Sequence, residues 1–261
     1  MIAAITGKDS ATWRRPPETF VLGNDEVHVW RAGLSRDPSR SHGHLDTLSA
    51  DERVRAERFH FAVDRAHFVA ARGILRAILG GYLKRTPESL AFRYGAHGKP
   101  ALAEDGSDEE IRFNVSHSGG EALYAVTRGR DVGVDIERVR DDLAVAEIAA
   151  RFFSPRETAT LQALPVGMQR RAFFRIWTRK EAYIKGRGEG LSLPLDEFDV
   201  SSGGGDTDML IDTRSDRPGA SRWSIRHIAA GPGFAAALAA ESAGWRLACW
   251  QWPEDRSDGM S

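Results

Sequence analysis

The sequence predicts an α+β protein made of two similar halves, each a long helix packed on a small, mainly antiparallel sheet. Three observations lead there. Two long stretches, from about Asp64 to Leu83 and from about Arg170 to Lys185, carry apolar residues at helical spacing. Short alternating stretches bounded by Gly, Asn, Asp or Pro lie between and after them. The second half also repeats the order of the first: Arg58-Phe59 before one helix is echoed by Arg151-Phe152-Phe153 before another. A duplicated unit explains this order, with a division expected into 19–129 and 130–252.

Taken in order, residues 1–18 are mixed and polar and are expected to form a loose leader. Val27 to Trp30 alternates as a first strand. Ser49 and Glu52 have the spacing of a capping box, in which each side chain satisfies a backbone N–H, and they open a helix through Arg53, Arg55, Glu57 and Arg58. Phe59 to Phe61 interrupts it. The first long helix then buries Phe68, Ala71, Leu75, Ile78 and Leu79, and its Arg65, Arg72 and Arg76 are expected mostly in solvent. Leu90 to Tyr94 is a strand, Gly95 to Pro100 a turn, and 103–110 an acidic exposed loop. Ile111 to Val115 is a strand that runs into Ser116-His117-Ser118. Ala122 to Val126 and Val132 to Ile136 are expected to pair as an antiparallel hairpin through Arg128 to Asp131. In the second half Ser154, Pro155 and Glu157 start a helix, and the glycines at 186, 188 and 190 stop the second long one. Phe198 to Val200, Trp223 to Ile225, Gly233 to Ala240 and Trp245 to Trp250 read as strands, 201–208 as a glycine-rich loop, and the tail from Pro253 as frayed.

Composition narrows the function. A formal net charge of −1 argues against a general nucleic-acid binder, which carries a basic surface. One cysteine, Cys249, excludes an internal disulfide and a cysteine-rich zinc site, and fits a reducing, cytoplasmic setting. Its neighbours Leu247, Ala248 and Trp250 make it a buried apolar residue. No apolar run is long enough to span a membrane, and no secretory signal is evident.

Two carboxylate stretches carry the chemistry. In Val132-Gly-Val-Asp-Ile-Glu137, strand alternation puts Gly133, Asp135 and Glu137 on one face and Val132, Val134 and Ile136 on the other. Adjacent carboxylates repel, which either a solvated edge or a hard divalent cation relieves. In Trp177 to Lys185, Glu181 and Lys185 lie one helical turn apart and share a face with Trp177. A surface Glu–Lys pair is the plain alternative there. With Glu181 folded against Asp135 and Glu137, three carboxylates suffice for Mg²⁺ while leaving room for phosphate oxygens. Other chemistries lack their settings: Ser116-His117-Ser118 has no flanking glycine pattern of a nucleophile elbow, and Gly186 to Gly190 is no Walker loop. His42 and His44 are the one pair with metal-like spacing, a weak signal. The inventory fits phosphoryl-type transfer, where positioning and charge neutralisation dominate.

Four stretches together, Gly133 to Glu137, Trp177 to Leu191, Asn114 to Ser118 and Gly98 to Pro100, resemble the signature motifs of the 4′-phosphopantetheinyl transferases. Their order resembles the two-domain, monomeric, surfactin-synthetase-activating type, and the likeness runs from about Ser49 to Val200. The resemblance implies transfer of the phosphopantetheine arm of coenzyme A to a serine of an apo acyl or peptidyl carrier protein, releasing 3′,5′-ADP, in a cleft between the halves. With the charge and the lack of an apolar span noted above, no nucleic-acid or membrane partner is expected. Carried onto this chain, Asp135, Glu137 and Glu181 would hold Mg²⁺, with Mn²⁺ as an alternative. Glu181, directly or through a bound water, would help deprotonate the serine, and Lys185 would offset charge on bridging and leaving oxygens. Ser116 and His117 would contact phosphate, with Arg55, Arg72 and Arg93 sharing the 3′-phosphate and Gly98, Lys99 and Pro100 along the adenine. Two rivals stand beside this: a non-catalytic carrier-binding relative, and a Mg²⁺ phosphohydrolase with water as acceptor.

Overall fold

The computed structural model describes residues 12–34, 42–103, 111–200, 209–213 and 222–253. The first half runs β1 (Glu26–Gly33), α1 (His42–Leu45), α2 (Ala50–Glu57), α3 (Ala62–Leu83), β2 (Phe92–Tyr94), β3 (Pro100–Leu102), β4 (Ile111–Ser118) and β5 (Glu121–Arg128). The second runs β6 (Val132–Arg138), α4 (Val145–Phe152), α5 (Pro155–Gln162), α6 (Val166–Arg187), β7 (Phe198–Val200), β8 (Met209–Thr213), β9 (Trp223–His227) and β10 (Phe234–Glu241). Among the described residues each half is thus a strand, three helices and four strands, and β11 (Arg246–Gln251) follows.

Period-two alternation builds the layers. On β1, Trp30 and Ala32 face α3, together with Ala122, Tyr124 and Val126 of β5. The opposite residues, Val27, Val29, Leu123 and Ala125, join Val132, Val134 and Ile136 of β6 and Ala236 and Leu238 of β10 in a core between the two sheets. On the far side, Ala235, Ala237 and Ala239 pack with Phe173, Phe174, Tyr183 and Ile184 of α6. The result is helix, sheet, sheet, helix. The first sheet has order β11-β1-β5-β4 and the second β6-β10-β9-β8-β7, with β2 and β3 as a separate hairpin. The last strand therefore completes the first sheet, parallel to β1.

The duplication is deeper than the sequence echo. Glu52, third residue of α2, accepts from the backbone of Ser49 and pairs with Arg76 of α3 at 2.7 Å. Arg76 also donates to the carbonyls of Pro87 and Leu90 beyond the helix. Glu157, third residue of α5, accepts from the backbone of Ser154 and pairs with Lys180 of α6 at 2.8 Å. Lys180 likewise donates to the carbonyls of Leu195 and Phe198. Both cations are wholly buried and each occupies the fifteenth position of a 22-residue helix. Each capping box thus serves twice, opening one helix and clamping the next.

Several expectations change. The hairpin expected between Ala122–Val126 and Val132–Ile136 does not form: β5 pairs with β4 and β1, whereas β6 leaves for the second sheet and pairs with β10. The aliphatic face of β6 is more fully buried between two sheets than beside β5. Arg76 is buried rather than solvated, because Glu52 and two carbonyls compensate its charge. Of the leader, residues 1–11 lie outside the described residues, but Trp13 donates its indole N–H to Ala229 O and Arg14 bridges to Trp250, so this end is fastened. The loop at 201–208, most of the acidic loop and the tail from 254 also fall outside. Helix α4 had no clear sequence signal, since its N-cap, Ala144, makes no side-chain bond.

Gly186 does not stop α6; Gly188 does, in the left-handed conformation at φ 70°. Gly186 is instead a contact residue. A Cβ added at Gly133 would lie 2.0 Å from Ala182 O and 2.3 Å from Gly186 N, so β6 reaches α6 only because 133 has no side chain. Gly133→Ala is therefore expected to destabilise the fold by about 1–3 kcal/mol or more. Urea denaturation checks this, and an unchanged midpoint would refute the close packing.

Candidate active site

The contact between β6 and α6 sets two carboxylates of a strand against one turn of a helix. Alternation turns Asp135 and Glu137, like Gly133, toward α6, and the helical repeat brings Glu181 and Lys185 onto the facing surface. Lys185 Nζ lies 2.5 Å from Asp135 Oδ1 and 2.9 Å from Ser116 Oγ. Asp135 is buried, yet its Oδ2 has no hydrogen-bond partner. Burial raises the Glu181 carboxyl above its ordinary pKa, and the Asp135 and Glu137 charges add to that while Lys185 opposes it. Burial likewise raises Glu137, against a hydrogen bond from Ser118. The three carboxylates are close enough to feel one another and are only partly neutralised.

Among the described residues no three His, Cys, Asp or Glu side chains are already arranged to hold a metal ion. The ammonium of Lys185 stands against Asp135 instead. The donor set nevertheless fits a hard divalent cation: an orphaned buried carboxylate oxygen, and two further carboxyls whose ionised forms are disfavoured without a counter-charge.

The other expected site residues distribute around this centre. Ser116 is buried inside it, its hydroxyl engaged by Asp135, Lys185 and the Ile136 N–H. His117 is exposed at the end of β4; partial desolvation, then the Lys185 and His67 charges, lower its pKa. Lys99 Nζ donates to Gly186 O at 2.6 Å and Val132 O at 3.3 Å, tying the turn of the first half to both site elements of the second. Gly98 takes φ 78° in that turn, and Pro100 opens β3 opposite Tyr94. Arg93 is exposed with Nε on Leu102 O, while Arg72 is held by Glu52 and by the Tyr94 hydroxyl, over the Phe92 ring. Arg55 lies over the Phe68 ring and lines an open surface pocket with Arg58, Val54 and Phe59.

Two further contributors, Asn114 and Ser118, figure in the sequence reading only as the ends of the Asn114 to Ser118 stretch, with no role of their own. Asn114 Oδ1 accepts from Val134 N, and Ser118 Oγ donates to Glu137 Oε2 and accepts from Arg138 N. Their signal was present as polar residues at 114, 116 and 118 on one strand face, matching 133, 135 and 137 on the other.

Residues 131–239 match the family described as the 4′-phosphopantetheinyl transferase superfamily, and residues 37–128 match its N-terminal 4′-phosphopantetheinyl transferase domain. The chain is 38% identical to the 4′-phosphopantetheinyl transferase HetI of Nostoc sp. over 242 residues, which are 92% of this chain and 98% of that protein. It is 31% identical to the 4′-phosphopantetheinyl transferase Sfp of Bacillus subtilis over 156 residues, 60% of this chain and 67% of that one. With two matched regions flanking the β5–β6 junction and a relative covered almost from end to end, the chain belongs to the 4′-phosphopantetheinyl transferase superfamily, as an Sfp-like, two-domain member.

Proposed function

We propose that Asp135, Glu137, Glu181 and Lys185 form the centre at which this enzyme transfers the 4′-phosphopantetheine arm of coenzyme A to a serine of an apo carrier protein, releasing 3′,5′-ADP. The observation that carries the reading is the convergence of three carboxylates and one lysine where β6 meets α6, with Asp135 Oδ2 left unpartnered. Asp135, Glu137 and Glu181 would hold Mg²⁺, or Mn²⁺ in its place. The bound cation supplies charge neutralisation at the pyrophosphate.

The remaining chemistry belongs to side chains. A serine hydroxyl is a weak nucleophile, so a base must accept its proton as the phosphorus–oxygen bond forms. Glu181 suits that role because burial and neighbouring carboxylates raise its proton affinity. Lys185 neutralises charge on the departing phosphate oxygen, moving off Asp135 when substrate enters. His117, exposed beside Lys185 and His67, binds phosphate of coenzyme A, with Arg55, Arg72 and Arg93 as further anion contacts. Gly98, Lys99 and Pro100 border the adenine; since the Lys99 ammonium is spent on two carbonyls, that border is backbone and aliphatic stem. Ser116, with its hydroxyl fully engaged, reaches phosphate through its backbone. One chain supplies both halves, so the enzyme acts as a monomer, in the cytoplasm, on a protein partner. Among the described residues no helix is long and apolar enough to cross a membrane.

Intact mass of an apo carrier protein incubated with this protein, coenzyme A and Mg²⁺ tests the reading. A gain of one phosphopantetheine that EDTA abolishes is the expected result. Release of 3′,5′-ADP without mass gain would favour water as acceptor. No turnover across fatty-acid and peptide-synthetase carriers would reject the proposal.

A further inference from the structure

Strands β4 and β6 are the facing edges of different sheets, and no backbone ladder joins them. Three side chains do. Asn114, Ser116 and Ser118 lie at i, i+2 and i+4 on one face of β4 and accept from Val134 N at 2.9 Å, Ile136 N at 3.2 Å and Arg138 N at 3.1 Å. The open N–H edge of β6 is thus capped rung by rung, which blunts an edge that would otherwise invite pairing.

The two serine rungs do a second thing. A hydroxyl has one proton, and a backbone N–H occupying its oxygen leaves that proton to be donated elsewhere. Ser116 gives it to Asp135 Oδ1 and Ser118 to Glu137 Oε2, both at 2.8 Å. Each serine therefore binds a carboxylate and the N–H of the next residue along the same strand. The Asn114 rung faces Gly133, which has no side chain to hold. Ser116 is shared with Lys185, whereas Ser118 donates its hydroxyl proton to Glu137.

We propose that Ser118 is a positioning residue: it fixes Glu137 by one oxygen so that the other is presented to the divalent cation. This rests on the cation reading of Asp135, Glu137 and Glu181. Groups that orient metal-ligating side chains are worth roughly 10–100-fold in metal affinity. Ser118→Ala folds, because Ser118 is half-buried and Arg138 N–H, at an exposed residue, takes water instead. Ser118→Thr keeps the hydroxyl and suits a strand.

The experiment is Mn²⁺ binding to the full chain with coenzyme A, followed by the electron-paramagnetic-resonance signal of free Mn²⁺, alongside the Mg²⁺ dependence of transfer. Ser118→Ala is expected to weaken Mn²⁺ binding about tenfold or more and to shift the Mg²⁺ requirement upward in parallel, with turnover recovering at high Mg²⁺ and Ser118→Thr restoring both. A merely structural serine would lower thermal stability without moving either metal curve, and that result overturns the proposal. If wild type binds Mn²⁺ normally and Ser118→Ala stays within twofold of it, the Ser118 assignment alone fails. If wild type binds no Mn²⁺ and transfers without metal, the cation reading fails and this inference falls with it.

Discussion

Glu181→Gln is expected to cut transfer turnover by roughly 10²–10⁴-fold while leaving the metal-free protein at least as stable as wild type. Both parts follow from one environment. The folded protein holds the Glu181 proton more tightly than the unfolded chain, whose ordinary value is 4.5. Stability from this group is therefore full below about 4.5 and is lost as pH rises through the elevated folded value. Above that elevated value the carboxylate is a buried charge that burial and the neighbouring carboxylates disfavour. Glutamine keeps the shape and removes the repulsion with Asp135 and Glu137, but it cannot accept a proton and is a poorer cation ligand. Initial rates by intact mass and urea midpoints at pH 7 and pH 4, without metal, check the two halves. The stability gain should vanish at pH 4, where wild-type Glu181 is itself protonated. Turnover within tenfold of wild type would remove Glu181 from the chemistry.

The neighbouring Lys180→Ala should do the opposite, costing about 3–5 kcal/mol of stability while the molecules that remain folded keep their turnover. Lys180 is wholly buried and satisfies Glu157 Oε2, Leu195 O at 2.7 Å and Phe198 O at 2.6 Å. Truncation leaves a buried carboxylate and two carbonyls without their cation. A loss of that size is a large share of the roughly 5–15 kcal/mol that holds a typical domain together. Glu157→Gln added to Lys180→Met should recover part of it, because no buried charge is then left alone; recovery is incomplete since Glu157 also accepts from Ser154 N and Val200 N. Urea denaturation measures this, with transfer assayed well below the melting temperature. A stable, folded but inactive Lys180→Ala would place the ammonium at the chemistry instead.

Lys180 and Glu181 mark where local pattern stops being informative. They are adjacent in one motif, and helical geometry turns them about 100° apart. The pattern found the face shared by Glu181 and Lys185, because that spacing is intrinsic to any helix. It gave no sign that Lys180 pairs with Glu157, a contact 23 residues away that exists only once α5 and α6 pack. The same holds for Arg76, expected in solvent and found buried on Glu52.

The sequence by itself determined the α+β class, the two long helices, the capping box at Ser49, the helix start at Ser154, the facing carboxylates of β6 and the family, since each depends on short-range periodicity or on motifs read in order. Only the tertiary structure decided that β6 abandons β5 for β10, that Ser116 and Ser118 hold the carboxylates across two sheet edges, and that Lys99 ties one half to the other. The physical reason is common to all three. A strand's partner is chosen by where its apolar face is best buried, and a polar side chain's partner by which unsatisfied groups that burial brings within reach.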